Sequence, residues 1–189
     1  MNPAATKSEL RQQLRAALRG LSAADRVAQS SAVRERLAGE MFWTNAQAIL
    51  FYAPLPDEVD VWRLLETALA QGRMVALPGH EAETNSYAPC RITNLVADLR
   101  PGKFGVREPA PHCARLAISQ LDLVLVPGVG FAPDGRRLGR GLGYYDRMLA
   151  TACGTKCGLA FDCQVVAEIP AEPHDIKLDY VLTPTRRRP

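Results

Sequence analysis

No stretch of the chain approaches the roughly 18 apolar residues that a membrane span requires. Met1 to Arg11 has no apolar core and carries Glu9, so a secretory signal is not expected. Charge of one sign is also scarce. Twenty-three Lys and Arg against 20 Asp and Glu leave a formal net charge of +3, too small a surplus to predict a nucleic-acid partner. Cysteines number five, at Cys90, Cys113, Cys153, Cys157 and Cys163. An odd count without a signal argues against a disulfide framework and predicts a reducing, cytoplasmic setting. Cys153, Cys157 and Cys163 with His174 could form a zinc set. Their spacing is not C-x2-C, and Cys157 and Cys163 flank an apolar run, so incidental thiols are the better reading.

What remains is ordinary globular composition, 47% hydrophobic and 23% charged, which excludes disorder and coiled coil for the whole chain. At 189 residues folding buries roughly 70% of the unfolded surface, enough for one core without staples. A single domain over residues 1–189 is expected.

Leu10, Leu14, Leu18 and Leu21 recur at helical spacing and predict a helix over Lys7 to Arg19. Ser22 with Asp25 predicts a capped second helix. Val27, Val33 and Leu37 form its apolar stripe, and it ends near Met41. Arg26, Arg34 and Arg36 are expected in solvent on the opposite face. Ala48 to Tyr52 is β-forming and is stopped by Pro54 and Pro56. Asp60 caps a third helix, Val61 to Ala70, which Gly72 ends. Met74 to Leu77 is a buried strand ended by Pro78. This β–α–β order with short links predicts a parallel sheet. Short antiparallel strands follow around Tyr87 to Ile92. Leu121 to Val126 is the strongest strand, Tyr144 to Ala150 is helical, and Lys156–Phe161 and Asp179–Leu182 are the last strands. The expected fold is α/β: a mostly parallel open sheet with helices on both faces, an N-terminal helical pair and antiparallel additions. Arg186 to Pro189 is expected to be a frayed tail.

The segment from Pro127 to Arg147 is the richest in chemistry. It follows the best strand and opens a helix, where open α/β sheets bind ligands. Gly139, Gly141 and Gly143 alternate, which lets backbone N–H groups approach a ligand. Arg136, Arg137 and Arg140 bring full charges, and a helix start adds a partial one. Together they describe a polyanion cradle, most simply for a triphosphate. The segment is neither a Walker A loop nor Gly-x-Gly-x-x-Gly. Asp146 suits either magnesium or the helix dipole. Glu58 either points into the same crevice or is a solvated loop acid. His174-Asp175 could reach the site from the last loop.

These motifs resemble the 5-formyltetrahydrofolate cyclo-ligase family, also called 5,10-methenyltetrahydrofolate synthetase. Lys7-x-x-x-Arg11 looks like its N-terminal nucleotide-contacting pair, and Asp57-Glu58-Val-Asp60 its acidic motif. Phe104-Gly-Val-Arg-Glu108-Pro109 resembles its Gly-x-x-Glu-Pro element. Val126-Pro-Gly-Val129 and Arg137-Leu-Gly-Arg-Gly-Leu-Gly-Tyr-Tyr-Asp-Arg147 match its most specific signature. Gly158-Leu-Ala-Phe-Asp162-x-Gln164, Ile169-Pro170 and His174-Asp175 complete the order. Arg140 stands where a Lys or Tyr is also seen, Leu142 where a small residue is common, and the arginine tail lies outside the pattern.

The resemblance implies a ligase that closes 5-formyltetrahydrofolate to the 5,10-methenyl form with ATP. A formamide carbon is a poor electrophile with a poor leaving group. Phosphorylating its oxygen cures both, N10 then attacks, and phosphate leaves. The resemblance assigns ATP contacts to Lys7, Arg11, Arg137, Leu138, Gly139, Arg140, Gly141, Leu142, Gly143, Tyr144 and Tyr145. It assigns the folate to Tyr52, Glu58, Arg140, Gly141, Leu142, Gly143 and Tyr144. Arg140 is the expected catalytic residue, and Asp146 and Asp175 the expected magnesium ligands. Small-molecule substrates are the expected partners of a monomer, with no nucleic acid and no membrane. The competing expectation is a binding protein without turnover, using Arg34, Arg36, Arg115 and the Arg186–Arg188 tail as its partner surface.

Overall fold

Thr6 and Ser22 each open a helix with a reciprocal capping box. The hydroxyl of Thr6 accepts from the Glu9 backbone while Glu9 returns to the Thr6 N–H, and Ser22 does the same with Asp25. The computed structural model describes residues 5–102 and 105–188. Phe104 of the Gly-x-x-Glu-Pro element and the terminal Pro189 lie outside the described residues.

Helix α1 spans Lys7–Gly20 and α2 spans Ala23–Ala38. A short α3, Met41–Asn45, leads to β1, Ala48–Leu50. Helix α4, Trp62–Ala70, crosses to β2, Met74–Glu81, which turns into β3, Ser86–Ile92. A hairpin of β4, Leu99–Pro101, and β5, Arg107–Pro109, precedes β6, Leu123–Val126. The glycine-rich segment folds as a second hairpin, β7 at Gly130–Phe131 and β8 at Arg137–Leu138, before α5, Tyr144–Leu149. Strands β9, Thr155–Leu159, β10, Tyr180–Leu182, and β11, Arg187–Arg188, complete the described chain.

Seven strands form one sheet in the order β11-β10-β9-β6-β1-β2-β3. The five inner strands are parallel, and β11 and β3 pair antiparallel at the two edges. Alternation along the strands separates two cores. Ile49, Phe51, Val75, Leu123 and Leu125 face α1 to α4. Leu50, Ala76, Val124 and Val126 face Met148 and Leu149 of α5. Helices therefore cover both faces, as an open parallel sheet requires. A smaller cluster packs Leu10 and Leu14 of α1 on Val129, Ala132 and Leu138 of the glycine-rich hairpin.

The structure corrects five expectations. Helix α2 stops at Ala38, and Met41 opens the separate α3. Val27 does not continue the buried stripe; it is 69% exposed, because α2 buries Ser30, Val33 and Leu37 instead. Arg26, Arg34 and Arg36 are not left to solvent. They donate to the carbonyls of Pro56 and Leu18, of Asp60, and of Pro184, and so tie α2 to α1, to the loop after β1 and to the turn after β10. Strand β2 runs through Pro78, where Pro78 faces Pro89 of β3, so a position with no N–H on either side falls opposite another. The arginine tail is an edge strand: β11 pairs with β10, Arg187 bonds Glu40 at 3.0 Å, and its guanidinium lies 4.6 Å over the Tyr180 ring.

Candidate active site

Strand β1 sits between β2 and β6, and the chain leaves it first to one side and later to the other. This is the switch point of the sheet, where two loops diverge and leave a crevice beyond the strand ends. A cavity of about 450 Å³ opens there. Tyr52, Leu55 and Glu58 line it from the loop after β1, and Pro127 and Gly128 from the loop after β6. Lys7 and Arg11 reach it from α1, residues 137–146 from the glycine loop and the start of α5, and Asp175 from the last loop. Every residue that the resemblance assigns to ATP, the folate or magnesium borders this one cavity.

Their charges are paired across it. Arg137, with its side chain only 4% exposed, holds Asp146 at 2.8 Å, and its guanidinium carbon lies 5.7 Å from the centre of the Tyr145 ring. Lys7 holds Asp175 at 2.8 Å and Glu172 at 3.1 Å. Burial works to lower the Lys7 pKa, but its bonds to the two carboxylates raise it overall. Burial likewise works to raise that of Asp175, and the Lys7 bond brings it below the ordinary value. Arg140 reaches Asp57 at 2.7 Å and Glu58 at 3.0 Å. Glu58 is 8% exposed in its side chain, and this burial raises its pKa although a Leu55 N–H and Arg140 oppose it. Arg11 donates to the Gly139 carbonyl at 2.9 Å, which fastens α1 to the glycine loop. Gln164, fully buried, donates to the carbonyls of Gly128 and Val129 and so fixes where that loop begins.

Several residues stand differently from expectation. Arg136 turns away to Asp134, Glu168 and the Ile169 carbonyl, outside the cavity. The six residues of α5 supply too short a dipole to matter beside the arginines. Tyr52 is 2% exposed and gives its hydroxyl to Val59, so it forms floor more than wall. Asp146 and Asp175, the expected magnesium ligands, each already face a cation, Arg137 and Lys7 respectively. Tyr87 was missed. Its ring meets Tyr144 edge-on at 4.9 Å on the cavity wall, and no spacing in the proline-rich middle of the chain marks it. Arg107 and Glu108 also line the cavity on β5. Two groups of side chains among the described residues could hold a metal ion: Glu172, His174 and Asp175 at the cavity, and Asp98, His112 and Cys113 near β4. All five cysteines are free, and Cys157 is buried in the core.

A doubly wound, mostly parallel sheet with a cavity of paired charges at its switch point defines a small-molecule-binding α/β protein. The model of the 5-formyltetrahydrofolate cyclo-ligase family matches residues 3–184, and the chain belongs to that family. It is 36% identical to 5-formyltetrahydrofolate cyclo-ligase of Mycolicibacterium smegmatis, over 96% of this chain and 95% of the relative. The mouse 5-formyltetrahydrofolate cyclo-ligase is 32% identical, over 93% and 92%. The NMR structure of Aquifex aeolicus 5,10-methenyltetrahydrofolate synthetase superposes with a TM-score of 0.85 at 33% identity, over 96% of this chain and 91% of that one. A Mycoplasma pneumoniae 5,10-methenyltetrahydrofolate synthetase, at 23% identity and a TM-score of 0.73, shares the fold.

Proposed function

We propose that this protein closes 5-formyltetrahydrofolate to 5,10-methenyltetrahydrofolate with ATP, releasing ADP and phosphate, and that residues 1–189 act as one catalytic domain. One observation carries the reading: one cavity is lined by cations for a triphosphate, Lys7, Arg11, Arg137 and Arg140, by the buried Glu58 carboxylate and by the ring pair of Tyr87 and Tyr144. Membership of the family over residues 3–184 supports it.

The chemistry asks for alignment more than for a protein nucleophile. The formyl oxygen attacks the γ-phosphorus and the bond to ADP breaks. N10 then attacks the activated carbon, its proton is lost, and the oxygen leaves with phosphate. Lys7, Arg11, Arg137 and Arg140 hold the triphosphate, and Arg140 faces the reacting phosphate and stabilises its developing charge. Glu58 accepts the N–H groups of the pterin, and Tyr144 supplies a ring wall. Holding both substrates on one rigid sheet end makes the transfer effectively intramolecular.

The carboxylates at the cavity are hard oxygen donors, which suit magnesium and no soft metal. Asp146 and Asp175 would hold it, and it would neutralise phosphate oxygens. With the carboxylates so engaged, Lys7 and Arg137 would be free to pair with the phosphates. The protein acts as a monomer in the cytoplasm, without nucleic-acid or membrane partners. Free thiols agree with a reducing compartment, and among the described residues no helix is long and apolar enough to cross a membrane. Arg34, Arg36 and Arg187 are engaged within the fold, which leaves the binding-only reading little of its partner surface.

Purified protein with 5-formyltetrahydrofolate, ATP and magnesium should form the methenyl chromophore together with one ADP per product. Folded protein that binds ATP and forms no product would overturn the assignment.

A further inference from the structure

Glu58 is assigned to the folate and Arg140 to the reacting phosphate as well as the folate, yet in the structure each is the other's partner. Oε1 of Glu58 accepts Arg140 Nη2 at 3.0 Å and Nε at 3.3 Å, and Oε2 accepts the Leu55 N–H at 3.0 Å. Oε1 is therefore filled by Arg140, while Oε2 keeps one acceptor position, so a pterin that pairs with both oxygens must displace Arg140. Arg140 has a second carboxylate, Asp57, at 2.7 Å, on the adjacent residue and partly exposed.

The geometry points to a substrate-coupling latch, in which Asp57 and Glu58 park Arg140 away from the phosphates until folate takes Glu58. This inference rests on the proposed function. ATP alone must pull Arg140 off a carboxylate that is only 8% exposed and would be left buried and unpaired, an unfavourable state. Folate alone must displace Arg140 to pair with both oxygens of Glu58. With both ligands present the pair is broken once and each ion finds a new partner. Each substrate therefore strengthens the binding of the other by the same factor, as linkage requires. Asp57 is a positioning residue here: it competes with the phosphates for Arg140 and touches neither reacting atom. The latch also holds the phosphate-facing arginine back from ATP before folate arrives, which disfavours transfer to water.

The test is calorimetric titration of the β,γ-imido analogue of ATP, with magnesium, into full-length protein with and without saturating 5-formyltetrahydrofolate. The wild type should bind the analogue about 10-fold more tightly with folate present, within the usual range of coupling. Glu58→Gln should bind it, without folate, nearly as tightly as folate-saturated wild type. Asp57→Asn, at the more exposed position, should tighten the analogue in both states, and it keeps the test decisive should Glu58→Gln fail to fold. A purely structural carboxylate would loosen ligand binding when replaced. Equal analogue affinity with and without folate in a protein that turns over would overturn the latch and leave the proposed function standing. Absence of both folate binding and turnover would overturn the two together.

Discussion

Gly139, Gly141 and Gly143 alternate along the loop for different physical reasons. A Cβ on Gly139 would lie 2.7 Å from Arg137 Nη1, so this glycine makes room for the guanidinium that holds Asp146. Gly141 has φ +105 and Gly143 has φ +65, backbone conformations that L side chains rarely adopt. The alternation therefore shapes the loop around its own arginine, as well as opening it to a ligand. Gly139→Ala should displace Arg137 while leaving the backbone of the fold intact. Its ATP KM should rise about 10-fold or more, the scale of one lost charge-assisted contact. Steady-state kinetics beside a circular dichroism melt checks this. An unchanged KM with normal stability would mean that Arg137 is not held by the space Gly139 leaves.

At the scale of the element, α1 joins stability to the site. Its inward leucines pack on the glycine-rich hairpin, while Lys7 in its first turn and Arg11 one turn on reach the cavity. The Thr6 capping box fixes that first turn. Thr6→Ala should cost about 1 kcal/mol, the usual value of a cap, and should also raise the ATP KM through a frayed Lys7. Ser22→Ala removes the matching cap of α2, which carries no cavity residue. It should cost a similar amount and leave the ATP KM alone. Urea titrations paired with ATP kinetics on both variants check the contrast, and equal effects on KM would detach Lys7 from the cap.

The same elements show what a sequence reveals. Helical leucine spacing in α1 and the Ser22–Asp25 box in α2 are local, and both were legible. The exposure of Val27 was not, because a residue at the right period is exposed when Ser30 is the one turned inward to bond the Asp60 N–H. Strand continuation through Pro78 depends on a partner, Pro89, that only the folded register brings opposite. The arginine tail reads as solvated until β10 offers it an edge and Glu40 and Tyr180 offer it partners.

At the scale of the whole molecule, the switch point between β1 and β6 gathers residues that lie far apart in the chain. Lys7 meets Asp175, and Glu58 meets Arg140. Which residues line the cavity was legible, apart from Arg136 and Tyr87, from the first helix and the motifs that follow strand ends. Its internal pairing was not, since which carboxylate faces which cation is set by loops that only the sheet juxtaposes. Tyr87 entered the cavity wall in the same way, through β3 returning beside β2 to face Tyr144.

The central claim is that this cavity transfers the γ-phosphoryl group to the formyl oxygen before the ring closes. The most direct measurement uses 5-formyltetrahydrofolate labelled with heavy oxygen in the formyl group, turned over with unlabelled ATP in unlabelled water. The account predicts one heavy oxygen in each inorganic phosphate released, seen by mass spectrometry, with none in ADP. Unlabelled phosphate, with the heavy oxygen found in water, would contradict it.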